Sequence, residues 1–134
     1  MPYGKQDDPL TYKIIGCCQT VHRELGPGFE ETIYQRALAL ELEAAGFDFT
    51  REEWIPVTYK GKDVGTKRID FVVENCMLEI KAKDNLEPVH FVQALSYLKA
   101  SGYEKGLLIN FGSKALQVER LINSHGRRTT DCAD

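Results

Sequence analysis

The sequence predicts an α/β (α+β) fold with elements in the order ααβββαβα and a sheet of about four strands. Three observations carry this expectation. Two helical periodicities open the chain, three strand-forming runs follow in succession, and a helix, an apolar run and a short helix complete it.

Asp8-Pro9 starts the first helix with an acidic cap and a proline at the first helical position. Ile14, Cys18, Val21 and Leu25 then recur at helical spacing, so this helix covers residues 9–25 and stops at Gly26-Pro27-Gly28. A second helix is expected from Phe29 to Ala45, with Ile33, Tyr34, Ala37, Leu38 and Leu42 on its apolar stripe and Gly46 as its stop. Glu30 and Glu31 lie in its first turn, where carboxylates meet the positive end of the helix. Phe47 to Tyr59 reads as extended, and Pro56 limits how centrally it can pair. Lys60-Gly61-Lys62-Asp63 is a turn, and a strand from Val64 leads into the hairpin considered below. Asp84 to Pro88 marks a third helix start, and the helix runs to Ser101 before Gly102. Val89, Val92, Leu95 and Leu98 supply its apolar surface, with His90, Gln93 and Tyr97 on a neighbouring polar stripe. Gly106 to Gly112 is a short apolar run, typical of a strand covered on both faces. Lys114 to Asn123 is expected to be a final short helix through Leu116 and Leu121, and the polar stretch from Ser124 a frayed tail.

A chain of 134 residues is expected to form one domain, 1–134, with its core at about 9–123. Its 43% hydrophobic and 28% charged residues are ordinary for a soluble globular protein. No apolar run approaches the ~20 residues of a membrane span, and MPYGKQDDPL carries no apolar signal region, so a cytoplasmic location is expected. Cys17, Cys18, Cys76 and Cys132 form no C-x-x-C pair, which speaks against a zinc, thiol or iron–sulfur centre. The net charge of −3 argues against coating nucleic acid by bulk electrostatics while leaving local recognition open. Lys60, Lys62, Lys67 and Arg68 cluster around one turn, Lys81 and Lys83 extend from the hairpin, and Arg127-Arg128 mark the tail. Such clusters are commonly just solvated surface.

The stretch that carries chemistry is Ile69 to Lys81, IDFVVENCMLEIK. Two strand-forming runs flank Glu74-Asn75, a pair short and polar enough for a two-residue hairpin turn. That turn sets Asp70 directly across from Glu79, with Cβ atoms about 4.5–5.5 Å apart. Alternation then puts Arg68, Asp70, Val72, Met77, Glu79 and Lys81 on one face, and the wholly apolar set Ile69, Phe71, Val73, Cys76, Leu78 and Ile80 on the core face. Two facing carboxylates repel unless a cation lies between them. An acid, then acid-x-lysine on the adjacent strand, suits metal-dependent phosphodiester cleavage: hard oxygen ligands for Mg²⁺, with an ammonium beside the attacked phosphate. The alternative is a solvated salt-bridge face in which Arg68 and Lys81 neutralise the acids diagonally. These residues alone do not choose between the two.

The element order, with D-x8-E-x-K on the second and third strands, resembles the PD-(D/E)xK nuclease-like superfamily. Within it the chain is similar to the GxxExxY protein family through Gly28-Phe29-Glu30-Glu31-Thr32-Ile33-Tyr34, supported by Val21 to Gly28, Glu79-Ile80-Lys81-Ala82 and Gly106 to Gly112. The resemblance covers roughly residues 9–123 and implies a mixed sheet flanked by helices. It implies that Asp70 and Glu79 bind the metal and that Lys81 positions the attacking water and stabilises charge on the phosphate. It further implies that Glu31 is the extra acid from the first core helix, and that Gln93 and Tyr97 form the Q-x-x-x-Y pattern that supports the site and contacts substrate. The proline expected before the first acid is Ile69 here. The activity so implied is that of an Mg²⁺- or Mn²⁺-dependent nuclease acting on DNA or RNA, with the backbone carbonyl of Ile80 as a further metal ligand and His90 as a candidate proton carrier at the rim.

A different class of function stands beside it: a non-catalytic nucleic-acid-binding or protein-interaction module on the same fold. The complete set Asp70, Glu79, Lys81, Gln93 and Tyr97 favours catalysis, whereas the acidic net charge and small size favour a module that needs a partner or a second copy, as in a homodimer.

Overall fold

The computed structural model describes residues 8–124. Two helices, α1 (Pro9–Leu25) and α2 (Glu31–Ala44), precede three antiparallel strands, β1 (Phe49–Tyr59), β2 (Lys62–Val73) and β3 (Cys76–Lys81). Helix α3 (Pro88–Ser101) then crosses to β4 (Lys105–Asn110), which lies parallel to β3, and β5 (Gln117–Ile122) returns antiparallel at the edge. The strands stand in sequence order, giving a five-stranded mixed sheet with β3 at its centre. Helices α1 and α2 cover one face through Ile14, Cys18, Tyr34, Leu38 and Leu42, and α3 covers the other through Ala94 and Leu98.

The helix starts follow from their caps. Asp8 accepts the Thr11 N–H at 3.3 Å and also receives Lys105 Nζ at 2.9 Å and an Arg120 nitrogen at 3.5 Å, fastening the beginning of α1 to β4 and β5. Glu87 caps α3 in a reciprocal arrangement with His90, whose Nδ1 accepts the Glu87 N–H at 3.0 Å. Gly102 ends α3 in the left-handed conformation. Pro56 lies on β1, an edge strand, where a missing N–H is tolerated. Helix α2 starts at Glu31, two residues after the expected Phe29, because Gly26 to Phe29 is occupied in a separate turn held by Tyr34.

Two further expectations are corrected. The segment expected as a helix over 114–123 is strand β5, so the sheet has five strands and the order is ααβββαββ. Val118 packs toward the α1/α2 side and Leu121 toward α3; three residues apart, they fit one stripe of a helix or opposite faces of a strand, and the open edge of β4 decides for the strand. Ile69 is buried as expected but belongs to the α3 side with Ile55 and Leu108, whereas Phe71 lies on the α1/α2 side. The reason is a break in alternation. Glu52 has φ of 57°, and the β1–β2 pairing lacks the rung between Glu52 and Asp70. Cys18 and Cys76 are buried small apolar residues and Cys17 is half-buried, all three as free thiols. The expected frayed tail from Ser124, including Arg127, Arg128 and Cys132, lies outside the described residues apart from Ser124 itself.

Three of the sequence segments singled out above meet in one packing cluster. The fully buried Tyr34 stacks on Phe111 with ring centroids 5.0 Å apart, while its hydroxyl donates to the Gly26 carbonyl at 2.6 Å and accepts the Phe29 N–H at 3.1 Å. His22 joins through Nε2, 2.9 Å from the Ser113 carbonyl oxygen, with its ring 6.5 Å from that of Phe111. The tyrosine therefore joins the turn before α2 to the end of β4. Removing one hydroxyl from this site should leave two backbone groups without it, a loss of about 1–3 kcal/mol. Tyr34→Phe is expected to lower Tm by roughly 3–10 °C, measured by thermal denaturation; an unchanged Tm would show that the hydroxyl does not hold the turn.

Candidate metal centre

The hairpin at Glu74-Asn75 has the expected register. Val73 pairs with Cys76, Val72 with Met77 and Phe71 with Leu78. The backbone ladder ends there, one position before the acids. In place of the next rungs, Asp70 Oδ2 accepts the Ile80 N–H at 2.8 Å and Glu79 Oε2 accepts the Asp70 N–H at 3.3 Å. The strands separate, and the two carboxylates fill the gap between them. Along β3, the Lys81 carbonyl accepts the N–H of Phe111, the residue just after β4, so the amide and carbonyl of the preceding residue, Ile80, both face β2 and the acids.

Burial makes this pair electrostatically costly. Glu79 is only 6% exposed. Removal from water raises its pKa first, the neighbouring Asp70 charge adds to this, and Lys81 offsets only part, leaving Glu79 up at about 8. Asp70 is also raised, chiefly by burial, with the Glu31 charge adding to the effect while the Ile80 N–H, Lys81 and Arg68 oppose it. Two half-compensated acids in a partly closed site are stabilised by a cation, and their oxygens, with the Ile80 carbonyl, are hard donors suited to Mg²⁺ or Mn²⁺. Mg²⁺ characteristically takes one or two carboxylates and retains water elsewhere, which fits this donor set. Among the described residues no group of three or more His, Cys, Asp or Glu side chains is drawn together as a cage.

The remaining expected residues fall around the pair. Glu31 is the first residue of α2, half-buried, and its charge acts on both acids. Lys81 lies beyond Glu79 on β3 with Nζ 3.4 Å from Gln93 Oε1 on α3, the amide oxygen accepting from the ammonium. Tyr97, one turn after Gln93, has its ring 6.0 Å from Lys67 Nζ on β2. Arg68 pairs with Glu52 at 3.9 Å, and among the described residues no ion pair joins Arg68 or Lys81 to either acid, so the diagonal salt-bridge alternative is not formed. His90 is engaged in the α3 cap.

Asn110 is a residue the sequence reading overlooked. Fully buried at the end of β4, it accepts the Lys83 N–H at 2.8 Å and donates to the Lys83 carbonyl at 2.9 Å, clamping the chain two residues after Lys81. It also accepts the Gly112 N–H at 3.1 Å and donates to Gln117 Oε1 at 2.8 Å. Gly112 packs so closely that a Cβ there would fall 2.5 Å from the Lys83 carbonyl oxygen. The available signal was a lone amide inside an apolar run, Leu107 to Phe111: a buried side chain of this kind must be hydrogen-bonded.

The sequence matches the family model of the PD-(D/E)XK nuclease superfamily over residues 8–121. A search of curated proteins finds no match. Among solved structures, the crystal structure of SSO0001 superposes with a TM-score of 0.56 at 19% identity, covering 75% of this chain and 55% of that one. The chain thus spans about half the length of that structure, and the likeness extends to the fold. Because the family model spans most of the sequence and the fold agrees with it, the chain belongs to the PD-(D/E)XK nuclease superfamily.

Proposed function

We propose that the chain is a GxxExxY-type member of this superfamily, a single-domain, divalent-metal-dependent nuclease that hydrolyses phosphodiester bonds of DNA or RNA in the cytoplasm. The observation that carries the reading is the replacement of the β2–β3 ladder by the carboxylates of Asp70 and Glu79 beside Ile80. A homodimer is the proposed assembly, since so small a domain offers limited surface for a duplex.

In this reading Asp70, Glu79 and the Ile80 carbonyl hold Mg²⁺ or Mn²⁺, with Glu31 completing the negative field. The ion would supply Lewis-acid polarisation of the phosphate and a bound water of lowered pKa. Lys81 orients the attacking water and meets the charge that develops on the phosphate oxygens, while Gln93 accepts a hydrogen bond from its ammonium and fixes its direction. Tyr97 supports the substrate. Asn110 acts at one remove, by fixing the backbone that leaves β3. The net charge of −3 and the small size of the chain favour, as a second reading, a nucleic-acid-binding or protein-interaction module without catalysis.

Labelled single-stranded DNA, duplex DNA and RNA, each incubated with Mg²⁺ or Mn²⁺, separate the two. Wild type is expected to cut at least one of them in a metal-dependent way, Lys81→Ala to slow the cut by about 10²–10³-fold, and Asp70→Ala to abolish it. No cleavage by wild type, or equal cleavage by the variants, gives the lead to the binding module.

A second expectation concerns pH without metal. Because folding raises the Glu79 pKa above its ordinary value of 4.5 toward about 8, the folded state binds the proton more tightly. The associated stability is present in full below about pH 4.5 and is lost as pH climbs to about 8. In EDTA, the Tm of wild type should fall between pH 5 and 8.5 more than that of Glu79→Gln, by an amount equivalent to about 1–3 kcal/mol. Mg²⁺ or Mn²⁺ should restore it at the alkaline end. Parallel Tm profiles for the two proteins would show that burial does not hold the Glu79 proton in the folded state.

A further inference from the structure

Strands β1 and β2 continue well beyond the rest of the sheet. Strand β3 pairs with β2 only at Phe71 to Val73, so residues 62–68 pair with β1 alone and form a two-stranded arm whose β2 half is exposed throughout. The arm turns at Lys60 and Gly61, both with positive φ (52° and 78°), the geometry of a tight two-residue hairpin.

The register fixes what each face of the arm carries. Opposed residues share a face, and Val64 is the extra residue where the pairing shifts from Val57–Gly65 to Thr58–Asp63. Ile55–Lys67, Val57–Gly65 and Tyr59–Lys62 therefore lie on one side, and Trp54–Arg68, Pro56–Thr66 and Thr58–Asp63 on the other. Ile55 packs with α3, and Lys67 stands over the Tyr97 ring, so the first side is the one that faces α3. Its cations are Lys67 and Lys62, with Lys60 over the Tyr59 ring at 5.5 Å, and its aromatic groups are Tyr97 and the 64%-exposed Tyr59. Asp63, the acid at the tip, is on the opposite side. The Tyr59–Lys62 rung lies about 13 Å beyond Lys67. At the other end, Tyr97 is one turn from Gln93, which holds Lys81.

Cations set beside the exposed Tyr59 ring and the half-buried Tyr97 ring fit an unpaired nucleic-acid strand: the ammonium groups meet phosphates and the rings meet base faces, which a duplex keeps stacked away. The net charge of −3 makes so local a basic strip distinctive. We propose that the α3-facing side of the β1–β2 arm is a track on which single-stranded nucleic acid is led to Asp70 and Glu79. The destination rests on the nuclease reading; binding to the track does not.

The test is fluorescence anisotropy with single-stranded DNA, single-stranded RNA and duplex DNA of one length, using full-length Asp70→Asn with Mg²⁺ so that binding is read apart from cutting. A single strand should bind more tightly than the duplex, and comparison of DNA with RNA identifies the sugar preferred. Adding Tyr59→Ala should weaken single-strand binding about tenfold. Adding Lys62→Ala and Lys67→Ala should reduce the slope of log affinity against log salt by about 0.7 for each lysine. Trp54→Ala, on the opposite side and 63% exposed, should leave binding unchanged. These results would uphold the track even if wild type cuts nothing. Tighter binding to duplex, no binding at all, or equal binding by the Tyr59 and lysine variants would overturn it even if wild type is a nuclease. A dimer that dissociates in Tyr59→Ala without a change in binding would also overturn it and assign the arm to a second copy of the chain.

Discussion

Where β2 and β3 part company, two carboxylates take over hydrogen bonds that a backbone ladder would otherwise make. That substitution is the constraint on which the candidate site depends. It holds Asp70 and Glu79 at one depth in the sheet, each accepting a backbone N–H, and it withdraws them from water far enough to raise the pKa of both. An apolar pair here would pack at less electrostatic cost. The acids are therefore explained better by what they can hold than by what they contribute to stability.

The rest of the molecule can be read as support for that gap. Helix α2 brings Glu31 to the acids while its Tyr34 is stacked on Phe111 at the end of β4. Asn110, next to Phe111, clamps Lys83 and so fixes the course of the chain leaving Lys81. From the opposite layer, α3 supplies Gln93 to the lysine ammonium and Tyr97 to Lys67. The motif-bearing segments of the sequence thus divide in two. Gly28, Tyr34, Phe111 and Gly112 shape the scaffold, whereas Glu31, Asp70, Glu79 and Lys81 lie at the candidate metal centre.

Much of this was legible because local signals agreed. Asp8-Pro9 and Gly26 bounded α1 correctly, and a two-residue turn gave the β2–β3 register and with it the meeting of Asp70 and Glu79. The misreadings arose where tertiary structure overrode a local pattern. Val118 and Leu121 suit a helix stripe or a strand equally, and only the open edge of β4 settles it. Ile69 changed layers because Glu52 adopts a positive φ on the neighbouring strand, which alternation within Ile69 to Lys81 cannot register. The links from Asn110 to Lys83 and from Lys67 to Tyr97 join residues distant in sequence, and no single segment encodes them.

Whether the paired acids form a divalent-cation site is read by calorimetric titration of the purified, EDTA-stripped chain with Mn²⁺ at neutral pH. Wild type is expected to bind the ion saturably, with the Glu79 proton released to the buffer as the carboxylate takes up the cation, and binding is expected to be lost in both Asp70→Asn and Glu79→Gln. Absence of binding in wild type, or undiminished binding in the two variants, would contradict it.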